Sequence, residues 1–404
     1  MALLGGEDAG GQNVYVHEVS RHIARLGYQV DIFCRRDNGV VPEVVRWGDG
    51  VRVIHLRAGP AEFIKKDPMW KLMPEFRDSF LRFCRYRQGH YDLIHSNFWM
   101  SGWVACELKR RLDLPVVHIS HAWGKTKRLE QGEADTSPPD RVEVEHRTLC
   151  EVDRIIAQCP DEVNELGRLY NASVDKVRVV PTGVNIKTFY PVSKAEARAK
   201  LGLRAEDKVV VYIGRMVRRK GVDNLIEGFA RLRARQPNLP LRLIVVGGET
   251  EEPDPERVPE LGYLMALAAS LGVRDRVWFT GKRQQSELKD YYSAADVAVS
   301  TPWYEPYGLT PLEAQACGTP VIGSAVGGIP FTVAEGETGF LVPPKDPEAL
   351  SDRLARIATD PALQATMSYK ARARVEREFT WERTAHRTAA VYEEVLTERG
   401  VSAA

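Results

Sequence analysis

Seven residues separate two glutamates in Pro302-Trp-Tyr-Glu305-Pro-Tyr-Gly308-Leu-Thr310-Pro-Leu-Glu313, and between them a glycine turns into a helix-forming run. A helix start offers unpaired N–H groups and partial positive charge. The amides of Tyr307, Gly308, Leu309 and Thr310 are therefore predicted to hold a diphosphate, with Glu313 accepting from ribose hydroxyls and Glu305 left beside a sugar. Two spaced glutamates alone equally describe a helix cap and a surface carboxylate. A second constellation is Tyr212-Ile-Gly214-Arg215-Met-Val-Arg218-Arg219-Lys220-Gly221, where an apolar strand ends and a helix begins. Arg215 and Lys220 there could stabilise the growing charge of a departing diphosphate, the work a metal does in other enzymes. The pattern lacks an Asp-x-Asp ligand pair at a matching position, so no metal is expected to be required. A solvated basic turn would have the same composition.

The first half of the chain offers weaker signals. Gly5-Gly6-Glu7-Asp8-Ala9-Gly10-Gly11-Gln12 precedes an amphipathic helix expected to begin near Val14, so Gly10 and Gly11 could approach an anion closely; an ordinary terminal tail is the alternative. His121 follows the apolar run Val116 to Ile119, in the position of a catalytic or a merely packed histidine. Gly124, Lys125 and Lys127 come next, and with Lys66 and Arg141 they could form a local pocket for a phosphate ester. Each of those cations taken singly is equally a solvated side chain.

These residues need elements to place them. Short β-branched runs at Val30 to Phe33, Val51 to Leu56, Leu93 to His95 and Val116 to Ile119 alternate with amphipathic stretches, which predicts βαβ units and a parallel sheet. The pattern restarts at Lys208 to Ile213 and runs through Leu241 to Gly247, Val277 to Thr280, Val297 to Ser300 and Pro320 to Gly323. Two Rossmann-like α/β domains follow, 1–187 and 206–380, with a connection over 186–205 and an amphipathic helix in 381–404. A ligand cleft is expected at the C-terminal ends of both sets of strands.

Composition restricts the partners. Lys and Arg number 56 against 55 Asp and Glu, so no global field draws in nucleic acid or an anionic membrane, and any phosphate recognition must be local. The six cysteines are scattered without a CxxC pair, which reads as free thiols in a reducing, cytoplasmic setting. No apolar run reaches the length of a membrane span. Small-molecule ligands are the expected partners, and oligomeric state is left open.

Taken together, Glu305-x7-Glu313, the Gly214-Arg215 to Lys220 loop and Gly10-Gly11, in that spatial logic and with Gly318-Thr-Pro-Val-Ile, Gly327-Gly328 and Gly339-Phe-Leu-Val, resemble glycosyltransferase family 4 over nearly the whole chain. The resemblance implies a GT-B fold, with two Rossmann-like domains facing a central cleft and a last helix crossing back to the N-domain. It also implies retaining transfer from a nucleotide sugar of the UDP-glucose kind, with no tightly bound cofactor. Within the family the chain is similar to the branch of sucrose-phosphate synthases and inositol-phosphate N-acetylglucosaminyltransferases, which use phosphorylated acceptors. Gly10-Gly11-Gln12 and His121-Ala-Trp-Gly124-Lys125 follow the first pattern; Ala134-Asp135-Thr136 to Arg141 and Glu313-Ala-Gln-Ala-Cys-Gly318 follow the second. Carried over by position, the resemblance puts Arg215 and Lys220 on the diphosphate, Glu313 on the ribose, and Glu305 and His121 at the transferring sugar. It puts Lys66, Lys125 and Arg141, with Gln12 and Gly124, at the acceptor. Phe98 and Ala122 stand where the inositol-phosphate enzymes carry a tyrosine and a threonine, so two hydroxyls are missing and fructose 6-phosphate is the favoured acceptor. The family's first strand would precede the glycine loop, where only Met1-Ala-Leu-Leu4 stands, so that strand is expected to be missing. A phosphorylase- or epimerase-like enzyme is disfavoured by the glutamate pair, and a non-catalytic nucleotide-sugar-binding protein remains an alternative.

Overall fold

The computed structural model describes residues 11–400 except 88–89 and 133–134. The glycine loop up to Gly10 and the expected first strand lie outside the described residues. The chain forms two compact units, one of residues 11–181 with 381–400 and the other of residues 182–380.

The first unit opens with α1 (Gly11–Arg25), three residues earlier than the sequence pattern suggests, so Gly11 is a helical residue and not part of a loop. Then come β1 (Val30–Arg35), β2 (Val44–Gly48) and β3 (Val51–Leu56), in the order β1-β3-β2. The expectation of purely parallel pairing fails here: β2 runs antiparallel to β3. Only Asp49-Gly50 separates the two strands, and so short a link closes only a hairpin, with Gly50 at φ 72°. After α2 (Met73–Arg87), a four-stranded parallel sheet is wound from β4 (Ile94–Asn97), α3 (Trp99–Leu112), β5 (Val116–Ile119), α4 (Gly124–Gln131), α5 (Arg141–Glu151), β6 (Arg154–Ala157), α6 (Pro160–Tyr170) and β7 (Val177–Val179).

The second unit is a doubly wound domain. Ser193 caps α7 (Lys194–Lys200), its Oγ accepting from Glu196 N. There follow β8 (Lys208–Ile213), α8 (Val222–Arg235), β9 (Leu241–Val246), α9 (Pro259–Ser270), β10 (Val277–Gly281), α10 (Leu288–Ala294), β11 (Val297–Ser300), α11 (Leu309–Ala316), β12 (Val321–Ser324), α12 (Ile329–Thr332), β13 (Gly339–Val342), α13 (Pro347–Thr359) and α14 (Pro361–Glu378). Six parallel strands lie in the order β10-β9-β8-β11-β12-β13. Strands β8, β9 and β11 are almost wholly buried, as apolar runs covered on both faces must be. Val222, Leu225, Ile226, Phe229 and Leu232 recur at helical spacing along α8 and enter the same core.

The last helix, α15 (Trp381–Glu398), belongs to the first unit. Trp381, Ala385, Ala389, Tyr392 and Val395 form one apolar stripe that packs with Tyr15, Val19 and Ile23 of α1 and with Val117, Ile119 and Ile156 of the sheet. Thr384 Oγ1 donates to Pro181 O at 2.8 Å, and Glu394 receives Arg154 and Arg178.

Candidate active site

In the second unit the strand order reverses between β8 and β11, and in open α/β sheets ligands bind beyond the strand ends at such a point. The two segments singled out in the sequence leave those ends. After β8 the main chain at Gly214 is tightly held. A Cβ there would lie 2.6 Å from the Tyr212 hydroxyl, which itself donates to Arg215 O at 3.0 Å. The Arg215 side chain is exposed. Beyond it, Gly221 takes φ 64° and starts α8, placing Lys220 just before the helix.

After β11 the chain crosses Trp303, whose main-chain N–H donates to Arg219 O at 2.8 Å, and reaches Glu305. Glu305 and Lys220 form an ion pair, so two residues 85 positions apart are brought together at the switch point. Gly308, at φ 96°, lets the chain turn into α11. Leu309 and Thr310 open the helix, while the Tyr307 ring is buried with its hydroxyl on Thr182 O at 2.6 Å. Glu313 sits one turn in. Its Oε2 is 3.4 Å from the Tyr292 hydroxyl, and burial pushes its carboxyl up to about 7.

Gly327 and Gly328 complete the turn from behind. A Cβ on Gly327 would lie 1.9 Å from Glu305 O, and one on Gly328 would lie 2.4 Å from Tyr307 O. The glutamate turn therefore rests on a surface of bare backbone. Sequence reasoning noted this glycine pair without assigning it to the site, and missed Tyr292, for which no local pattern exists.

In the first unit the ends of β4 and β5 carry two non-glycine residues with left-handed backbones, Phe98 at φ 77° and His121 at φ 62°. His121 Nε2 lies 2.9 Å from Asn97 Oδ1, and its ring meets the edge of Tyr15 with centroids 4.8 Å apart. Burial, with His95 and His118 nearby, pushes this imidazole down to about 3, so it is neutral. Asn97 Oδ1 accepts from Nε2–H, which leaves Nδ1 as an acceptor.

Lys66 and Arg141 converge on Phe98: the ammonium is 5.8 Å and the guanidinium 5.1 Å from the ring centroid. Arg141 is buried and fixed through Nε to Glu145 at 2.8 Å, Nη1 to Ser137 Oγ at 3.1 Å and Nη2 to Ala122 O at 2.6 Å. Sequence reasoning missed Glu145, which its i,i+4 spacing to Arg141 could have marked. The Lys66 ammonium has no ion pair or hydrogen bond among the described residues, while its carbonyl accepts from Met69 N at 3.1 Å. Lys125 is not part of this pair: its Nζ is spent on Leu169 O and lies 4.9 Å over the Tyr170 ring. Lys127 is likewise taken up, by Asp135 at 2.7 Å. Gly124 donates to Glu145 at 2.9 Å, and a Cβ there would come within 2.8 Å of that carboxylate. Gln12 is half-buried in the first turn of α1.

Among the described residues no cluster of three or more His, Cys, Asp or Glu side chains could hold a metal ion, and no helix is long and apolar enough to cross a membrane. All six cysteines are free.

Comparison with known proteins bears on this arrangement directly. Residues 193–374 match the model of glycosyl transferases group 1, and residues 10–183 that of the glycosyl transferase 4-like domain. A D-inositol 3-phosphate glycosyltransferase of Thermobispora bispora is 40% identical over 97% of this chain and 91% of its own length. One from Saccharomonospora viridis is 37% identical with the same coverage. Among solved structures, the sucrose-phosphate synthase of Thermosynechococcus elongatus superimposes with a TM-score of 0.85 at 37% identity, covering 98% of this chain and 96% of that one. With the switch-point glutamate pair and basic loop in place, the chain belongs to the group 1, family 4-like glycosyltransferases of GT-B fold and is a hexosyltransferase.

Proposed function

We propose that this enzyme transfers a hexosyl group, with retention, from a UDP-glucose-like donor to a phosphorylated acceptor, fructose 6-phosphate before inositol phosphate. The observation that carries the reading is the convergence of Lys66 and Arg141 on Phe98. One cation there is rigidly oriented and the other has no ion-pair partner among the described residues, an arrangement suited to a phosphate ester.

On the donor side, the second unit takes the nucleoside diphosphate, with Glu313 accepting from ribose and the amides at Gly308, Leu309 and Thr310 facing the diphosphate. Arg215 and Lys220 balance the charge that grows as the bond from the anomeric carbon to the diphosphate oxygen breaks. The acceptor hydroxyl forms the new bond on the same face and gives its proton to that diphosphate oxygen. Glu305 turns from Lys220 to the sugar hydroxyls, and the neutral His121 accepts from the sugar at Nδ1. No protein-bound metal enters this scheme.

Fructose 6-phosphate comes first because Phe98 and Ala122 supply no side-chain hydroxyl to a phosphate; Ala122 contributes only its carbonyl, which Arg141 occupies. The second reading, D-inositol 3-phosphate, is supported by the names of relatives 37% and 40% identical. A screen crossing UDP-glucose, ADP-glucose, GDP-mannose and UDP-N-acetylglucosamine with both phosphorylated acceptors and their unphosphorylated forms tests it. Equal rates with phosphorylated and free acceptors would overturn the phosphate assignment.

A further inference from the structure

Lys66 stands at the end of segment 57–66, which follows β3 and contains no helix or strand. Nothing within that segment fixes the position of the ammonium, and a cation held only over an aromatic ring is weakly held. The segment is instead held from outside. Arg35, the last residue of β1, turns its guanidinium onto four main-chain oxygens: Pro60 O at 2.7 Å, Ala58 O and Arg36 O at 3.4 Å each, and Glu62 O. Two further bonds flank this fork. Gly59 N–H donates to Glu75 Oε2 at 2.8 Å, and Ser79 Oγ donates to Arg57 O at 2.5 Å. Beyond Lys66, Thr136 Oγ1 donates to Asp67 Oδ2 at 2.9 Å and Trp70 Nε1 to Asp140 Oδ2 at 2.7 Å, which ties the chain to the residue before Arg141.

Arginine suits this place and lysine does not. Its planar fork presents five N–H donors and stays charged, so it can gather several carbonyls at once, whereas an ammonium has three donors diverging from a point. Among the described residues no carboxylate pairs with Arg35, and its charge is met by carbonyl dipoles alone. All of its contacts are to main chain, so it sets backbone position whatever the side chains of the segment are.

We propose that Arg35 is a positioning residue for the acceptor: by clamping segment 57–66 it holds Lys66 opposite Arg141 and thereby sets the preference for a phosphorylated acceptor. The inference rests on the reading of Lys66 and Arg141 as the acceptor phosphate site. Arg35 itself does not touch substrate.

Steady-state kinetics on the full chain test this, with fructose 6-phosphate and D-inositol 3-phosphate each set beside the unphosphorylated compound. Arg35→Ala should raise the KM for the phosphorylated acceptor by about tenfold, the scale of one charge-assisted contact, and leave donor KM within about twofold. The preference for phosphorylated over free acceptor should shrink in proportion. Arg35→Lys should fall between, and Arg35→Ala added to Lys66→Ala should make acceptor KM no worse than Lys66→Ala alone, since one acts through the other. Should Arg35→Ala not fold, Glu75→Ala loosens the same segment at Gly59 and should move acceptor KM in the same direction. Additive losses, equal losses in donor and acceptor KM, or an unchanged acceptor KM would overturn the positioning role. If Lys66→Ala abolishes the phosphate preference while Arg35→Ala and Glu75→Ala leave it intact, this inference alone fails; if Lys66→Ala leaves the preference untouched, the functional reading beneath it fails.

Discussion

Lys220 already has Glu305 as its counter-ion, so a diphosphate bound beside it as proposed would compete with a carboxylate already in place. The ammonium is worth most when the leaving group carries its full charge, so Lys220→Ala should lower kcat by about 10²- to 10³-fold, the scale of removing one preorganised donor. A kcat unchanged in steady-state assays would contradict the leaving-group role. Glu313 makes the opposite case, a carboxyl raised to about 7 by burial with only a long contact to Tyr292. Its folded value exceeds the ordinary 4.5, so between those values the native state binds the extra proton and stability falls as pH rises from about 4.5 to 7. Glu313→Gln should therefore stabilise the free protein more at pH 8 than at pH 5, read by urea unfolding at the two pH values. If Glu313 accepts from the ribose as proposed, it does so as the ionised carboxylate, so UDP affinity should weaken as pH drops through about 7 in the parent and stay flat in the variant, read by calorimetry. What spacing along one segment encoded was placement: Glu305 and Glu313 bracket the turn at Gly308 and the start of α11, as their separation indicates. Pairings such as Lys220 with Glu305 were not legible in the sequence, because the two lie 85 positions apart with the three strands β9, β10 and β11 between them in the chain.

At the scale of elements, the site depends on how turns pack against turns. The Glu305 to Gly308 turn lies on Gly327 and Gly328 so closely that a methyl group has no place. Gly327→Ala, at φ 52°, combines backbone strain of about 1–3 kcal/mol with a collision at Glu305 O. It should weaken UDP binding and lower kcat together while circular dichroism stays that of an intact α/β protein; normal donor affinity would show that the turn adapts. Most strands of the second unit were readable, because a strand buried on both faces is written as an apolar run. In that unit β13 was noted only as a motif, and in the first unit β6, β7 and the hairpin strand β2 were missed: these three have four, three and five residues and are partly exposed, so neither a long apolar run nor clean alternation marks them. The expected cationic grouping is only partly seen: Lys66 and Arg141 both lie over the Phe98 ring, whereas Lys125 is drawn to the end of α6 by a carbonyl and an aromatic face. Solvent-facing charge in a sequence does not say which way a long side chain will lie.

For the molecule as a whole, the first unit is built from two distant pieces of chain, with residues 182–380 inserted between them. The core beneath α1 is shared with α15, where Trp381 is 3% exposed. Trp381→Ala should destabilise the first unit by about 3–5 kcal/mol. Hydrogen exchange should then speed up across residues 11–181 and leave residues 182–380 protected; uniform loss would mean the units melt as one. The same division orders events at the ribosome. Nascent residues 11–181 emerge while the helix that closes their core has not yet been translated, and the second unit must be synthesised first. At about 5–20 residues per second that wait is on the order of 10–40 s. Throughout it the face of Tyr15, Val19 and Ile23 lacks its cover, which makes this enzyme a natural client for cotranslational chaperones and one whose yield should rise when expression is slowed by cold.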